Sequence, residues 1–215
     1  MKRKAQDDWL ITPFSSTRFL ERGPPPIKKQ RTRRGLGKAS HLINHPTRIF
    51  VVGRSQMGKT TLAVQVIAER FSKMDRYIAI CPSFHGQDTF NPIRHLFKKE
   101  DIHEEPKAST FKRIFDDIRR FAEYAMAKGL PKPKTFILID DMAGTNVIHG
   151  AGKGAFSQFA TQVTHWGCTE MVISQNPKSV DPLFRSNCEN FIIFPSEAKQ
   201  SMSWLEESFN ARVLN

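Results

Sequence analysis

The chain has 215 residues, 39% of them hydrophobic with 17 Phe, which is room for one packed domain plus a tail and none for two full domains. No apolar run approaches the ~20 residues that cross a bilayer, the N-terminal Met-Lys-Arg-Lys leads to Asp7 and Asp8 rather than to a signal-peptide core, and Cys81, Cys168 and Cys188 have no CxxC spacing. A soluble, intracellular protein with reduced thiols is therefore expected, and its net charge of +12, of which residues 1–48 hold +9, points to an anionic partner.

Residues 1–46 mix charge and Ser with the run Pro24-Pro25-Pro26 and the basic cluster Lys28 to Arg34. With little apolar periodicity they read as a flexible basic segment ahead of a domain over 47–215. Arg48–Val52 (RIFVV) predicts a buried strand, Gly53–Lys59 a loop, and Thr60–Phe71 a helix with Leu62, Ala63, Val66 and Ile67 on one face. Tyr77–Cys81 predicts a second strand stopped by Pro82, and Phe90–Phe97 a short helix. Ser109–Lys128 carries the clearest helical stripe, Phe111, Ile114, Phe115, Ile118, Phe121, Ala122 and Ala125, read as a core-facing face, with Gly129 as its stop. Thr135–Ile139 (TFILI) lacks alternation, as a strand covered on both faces does.

A Gly-rich loop over Gly144–Gly154 then leads into a helix with Phe156, Phe159, Ala160 and Val163 on one face. Met171–Ser174 and Phe191–Phe194 predict two more strands, and Lys199–Arg212 a closing helix. Strands alternating with helices predict an α/β fold around a mostly parallel sheet.

Gly53-Arg54-Ser55-Gln56-Met57-Gly58-Lys59-Thr60, followed by Thr61, satisfies G-x-x-x-x-G-K-[ST] between an apolar strand and an amphipathic helix. Glycines let the backbone curl so that successive N–H groups face phosphate oxygens. The start of the next helix adds its positive end. In this pattern Lys59 reaches the β- and γ-phosphates of ATP, and the Thr60 hydroxyl ligates Mg²⁺.

Phe136–Ile139 is an apolar strand ending in Asp140-Asp141. Asp140 is expected in the magnesium shell, and Asp141 is placed to orient or deprotonate the attacking water. Two solvated acids at a strand end are the plain alternative. Ser174-Gln175 ends a later strand, where the Gln175 amide either senses the γ-phosphate or meets solvent. Arg185, in Pro182-Leu183-Phe184-Arg185-Ser186-Asn187, is either an arginine finger at a subunit boundary or a surface arginine.

Taken in order, GRSQMGKTT, FILIDDM, VISQNP, PLFRSN and FIIF resemble the genome-packaging ATPases of large and mid-sized double-stranded DNA viruses, the poxvirus-type branch of the FtsK–HerA superclass. The resemblance covers about residues 47–196. It implies a RecA-like core, a homo-oligomeric ring, and ATP-driven movement of double-stranded DNA into a capsid through contacts with capsid proteins. It also implies the roles given above for Lys59, Thr60, Asp140, Asp141 and Gln175. Many relatives in the wider superclass carry Glu where this chain has Asp141.

Two other functions fit parts of the sequence. A superfamily-three replicative helicase shares a phosphate loop and paired acids, but usually sets them closer than the 81 positions between Lys59 and Asp140, and ends the later strand in Asn. A basic nucleic-acid-packing structural protein with a vestigial nucleotide site fits the basic tail, but has no reason to keep Lys59, Thr60 and Asp140 together. The clusters Lys2-Arg3-Lys4 and Lys28 to Arg34 resemble a bipartite import signal, so the expected location is the host nucleus or the virion.

Overall fold

A computed structural model describes residues 43–142, 148 and 154–194. The expected flexible segment up to residue 42, the Gly-rich loop apart from Ile148 and Gly154, and the closing helix over Lys199–Arg212 lie outside the described residues. No helix among the described residues is long and apolar enough to cross a membrane.

Six strands form one sheet: β1 (Arg48–Val52), β2 (Arg76–Ile80), β3 (Ile102–His103), β4 (Thr135–Ile139), β5 (Cys168–Ser174) and β6 (Asn190–Ile193). Their order is β3-β2-β4-β5-β1-β6, and every pairing is parallel. The register sets Val52 opposite Ser174 and Ile139 opposite Val172, so β1, β5 and β4 finish side by side at one edge of the sheet. In an open parallel sheet that edge is where ligands bind.

Both faces are covered, which is why β1, β4 and β5 are buried at every position. Alternate side chains feed two cores. Phe50, Ile78, Ile137 and Val172 meet α2 (Ala108–Ala127) and α3 (Ala155–Gln162) through Phe111, Ile114, Phe156 and Phe159. Ile49, Val51, Leu138 and Ile173 meet α1 (Lys59–Arg70) through Ala63, Val66 and Ile67. The α2 stripe is the one the i, i+3, i+4 spacing predicts except at Phe121, which lies at the edge of the face and is exposed, while Phe111, Ile114, Phe115, Ile118, Ala122 and Ala125 are buried. At its ends Lys107 N–H donates to Thr110 Oγ1 (3.0 Å), and Gly129 takes the left-handed φ of +68° that lets Leu130 N–H return to Ala125 O (2.9 Å).

The segment predicted as a helix over Phe90–Phe97 is instead two separate 3₁₀ turns, Asp88–Phe90 and Arg94–Leu96. Tertiary contacts override the local pattern. Phe84 stacks on Phe90 (centroids 4.7 Å) and meets Phe97 edge-on (5.0 Å), while one Arg94 nitrogen donates to the carbonyls of Phe84, His85 and Gln87 at 3.0–3.3 Å. Two further elements escape the sequence pattern: the two-residue edge strand β3, and α4 (Pro182–Ser186), capped by Asp181, whose carboxylate accepts from Leu183 N–H at 2.7 Å.

At the opposite end of β5, Glu170 lies across from Arg48 and is wholly buried, with neither carboxyl oxygen hydrogen-bonded among the described residues. Arg48 instead donates to the carbonyls of Ala160 and Thr161 and pairs with Glu189. Burial pushes the Glu170 carboxyl up to about 8; Arg48 opposes that rise and Glu189 adds to it. The folded chain therefore keeps a proton that the unfolded chain releases near the ordinary value of 4.5. Between those two values stability falls as pH rises, by up to about 1.4 kcal/mol per pH unit. Glu170→Gln is expected to remove this slope, so that melting temperatures at about pH 5 and about pH 9 differ less than in the unaltered chain. An unchanged difference would place the slope in other groups.

Candidate nucleotide-binding site

Immediately after β1 the chain enters the glycine-bounded loop. An added Cβ at Gly53 would lie 2.6 Å from Phe194 Cβ, so only glycine fits there. Gly58 has φ +85° and Gln56 φ +62°, and these left-handed residues fold the loop back on itself before α1 begins. A loop of this shape at a helix start makes a concave row of N–H groups suited to an anion. Arg54 to Met57 are exposed, while Lys59 is 8% exposed and its ammonium donates to Arg54 O at 2.7 Å. Burial lowers the Lys59 pKa, and the charge of Asp140 opposes that shift.

The end of β4 supplies the acids. Asp140 is 6% exposed; its Oδ2 accepts from the Thr60 hydroxyl (2.9 Å) and its Oδ1 from Asp141 N–H (2.8 Å). Burial raises its pKa to about 6 against the pull of those two hydrogen bonds. Asp141 sits at φ +57°, in the left-handed region that aspartate tolerates better than most residues, and is exposed. Its Oδ2 accepts from the Ser83 hydroxyl at 3.0 Å.

A cavity of about 490 Å³ joins these parts. Ser55, Gln56, Gly58, Lys59, Thr60 and Thr61 form one wall, Asp140 and Asp141 the floor, and Gln175 reaches it from the end of β5. The strand between the phosphate-loop strand and the acid strand is thus β5, placed there by the sheet order. Arg185 does not line this cavity; it lies on α4, where its Nε donates to Val180 O at 3.1 Å. The polar residues that sequence reasoning missed are Gln87 and Thr89, which line the cavity from the loop after β2, and Ser83, bonded to Gln87; Met142, Ile148 and Ile173 add an apolar lining. Of the polar ones, Ser83 alone is a side chain close behind an apolar strand, the feature that singled out Asp140 and Gln175, and nothing in the sequence sets it apart from other loop residues.

A parallel sheet wrapped by helices, with a glycine-bounded loop, a strand-end carboxylate pair and an intervening strand meeting at its C-terminal edge, is the RecA-like fold of P-loop NTPases. No protein-family model and no curated protein matches the sequence. Among solved structures, the fold is similar to that of the genome packaging NTPase B204 from Sulfolobus turreted icosahedral virus 2 in complex with AMP, with a TM-score of 0.56 and 14% identity over 79% of this chain and 88% of that one. The pCW3 conjugation coupling protein TcpA, in its monomer form with ATPγS, matches at TM-score 0.54 and 13% identity over 73% of this chain and 51% of TcpA. EssC (ATPases 2 and 3) from Geobacillus thermodenitrificans matches at TM-score 0.54 and 13% identity over 79% of this chain and 35% of EssC.

Proposed function

We propose that this chain is the ATPase of a viral genome-packaging motor of the poxvirus type, which works as a homo-oligomeric ring and drives double-stranded DNA into a capsid. The reading rests first on one contact, the Thr60 hydroxyl at 2.9 Å from the buried Asp140 carboxylate beneath the phosphate loop. The fold shared with a genome packaging NTPase supports it, as does the run of motifs through Gln175 and Arg185.

In this reading the triphosphate lies along residues 53–61, with loop N–H groups on its oxygens, and Lys59 exchanges Arg54 O for the β- and γ-phosphates. Thr60 and Asp140 fit magnesium: a hydroxyl and a buried carboxylate are hard oxygen donors that would hold it beside the phosphates. Bound there, the ion would neutralise charge on the phosphate oxygens. Asp141 orients the attacking water or takes its proton, and Gln175 contacts the γ-phosphate or that water. Arg185, which is outside the cavity of its own subunit, is proposed to reach the site of a neighbour.

The test is ATP hydrolysis by the full chain with and without double-stranded DNA. DNA is expected to stimulate turnover, and the stimulation to fall steeply with salt because phosphate contacts release counterions. Deleting residues 1–40, which carry most of the basic excess, should flatten that salt dependence and leave basal hydrolysis unchanged. Hydrolysis indifferent to DNA would remove the motor and leave an ATPase. Nuclear location is read separately, by whether a reporter fused to residues 1–40 enters the nucleus.

A further inference from the structure

The loop between β2 and β3 is a built wall of the cavity. Its aromatic side chains are anchored in the core, with Phe84 and Phe90 fully buried, and Arg94 gathers three of its carbonyls. What this scaffold holds toward the site is a short chain of side chains. The Gln87 amide donates to Ser83 Oγ at 2.5 Å, and Ser83 Oγ lies 3.0 Å from Asp141 Oδ2. A carboxylate only accepts, so the single hydroxyl proton of Ser83 must go to Asp141, leaving an oxygen lone pair for Gln87. The Asp141 backbone adds a second restraint, because its N–H is committed to Asp140 Oδ1 at 2.8 Å. The acid is thereby fixed from both sides: main chain to Asp140, side chain to Ser83.

We propose that Ser83 is a positioning residue for Asp141, held in its rotamer by Gln87, and that it sets where the carboxylate meets the attacking water. The inference rests on the ATPase reading and deepens it, since it concerns the same site. Asp141 has one carbon fewer than a glutamate would place there and φ +57°, so its carboxylate depends on an outside partner for its direction. A carboxylate free to rotate is misaligned for most of its time, and small misplacements of a reacting group lower rates steeply without altering substrate binding. Ser83 does not touch the phosphate loop in any described contact, so nucleotide affinity is expected to survive its loss.

The experiment compares the unaltered chain with Ser83→Ala, Ser83→Thr and Gln87→Ala, following ATP hydrolysis, binding of a fluorescent ATP analogue and thermal melting. Ser83→Ala should lose about ten-fold or more in kcat, with KM and analogue binding within about two-fold. Ser83→Thr keeps the hydroxyl and should recover most of the rate, while Gln87→Ala should fall between. An Ala variant as fast as the unaltered chain, or a Thr variant as slow as the Ala variant while both bind the analogue and melt normally, overturns the positioning role alone. An unaltered chain that binds the analogue and hydrolyses no ATP overturns the ATPase reading and this inference with it.

Discussion

Lys59→Ala is expected to abolish ATP hydrolysis, a loss of at least about a hundred-fold, while the chain keeps its fold. Among the described residues the side chain donates only to Arg54 O, within its own loop, and it belongs to neither core cluster. Its removal therefore costs little packing and takes away the ammonium proposed to hold the β- and γ-phosphates. Circular dichroism and thermal melting should match the unaltered chain while turnover disappears. The same variant tests Arg185. Mixed with an equally inactive Arg185→Ala chain, it should regain part of the activity, because some interfaces would pair an intact loop with an intact arginine. Co-assembled mixtures that stay inactive would leave Arg185 as a surface residue, and Lys59→Ala turning over at the original rate would take the phosphate loop out of the mechanism.

The two neighbouring acids should separate. Asp140→Asn is expected to weaken magnesium-dependent nucleotide binding by about ten-fold or more, because the carboxylate that holds the Thr60 hydroxyl is also the buried negative charge of the site. Asp141→Asn should leave binding near its original value and lower kcat by about a hundred-fold or more, since an amide cannot accept the water's proton. Titrating nucleotide with and without magnesium reads the first effect, and single-turnover hydrolysis the second. Equal losses of affinity in both variants would contradict this division of labour.

Much of the site was legible because its parts are local. G-x-x-x-x-G-K-T, the apolar run ending in Asp140-Asp141 and the α2 stripe each carry their signal within about a turn or a strand. The sheet order was not legible, because β5 comes between β1 and β4 through its pairing with β1, between residues more than a hundred positions apart. The start of β5 was read three residues late. A charged Glu170 breaks the apolar pattern, yet the strand runs through it from Cys168 with that carboxyl buried. The strand β3 has two residues and α4 five, too few for any period to show. Ser83 and Gln87 look like ordinary loop residues until the fold brings Asp141, 58 positions later, beside them.

Gly53 and Lys59 belong to one motif, yet they answer to different masters. The obstacle to a side chain at position 53 is Phe194 Cβ, an atom every residue but glycine possesses, and the backbone there is tied down by Phe194 N–H to Val52 O at 2.8 Å. Trimming the Phe194 ring would not make room; the last strand itself would have to pull away from the first. The requirement for glycine at position 53 is thus set by the sheet edge and holds whatever the loop binds. Lys59 meets no such obstacle: its ammonium is held by a single described hydrogen bond to Arg54 O, so a change there tests the loop's chemistry without disturbing the sheet.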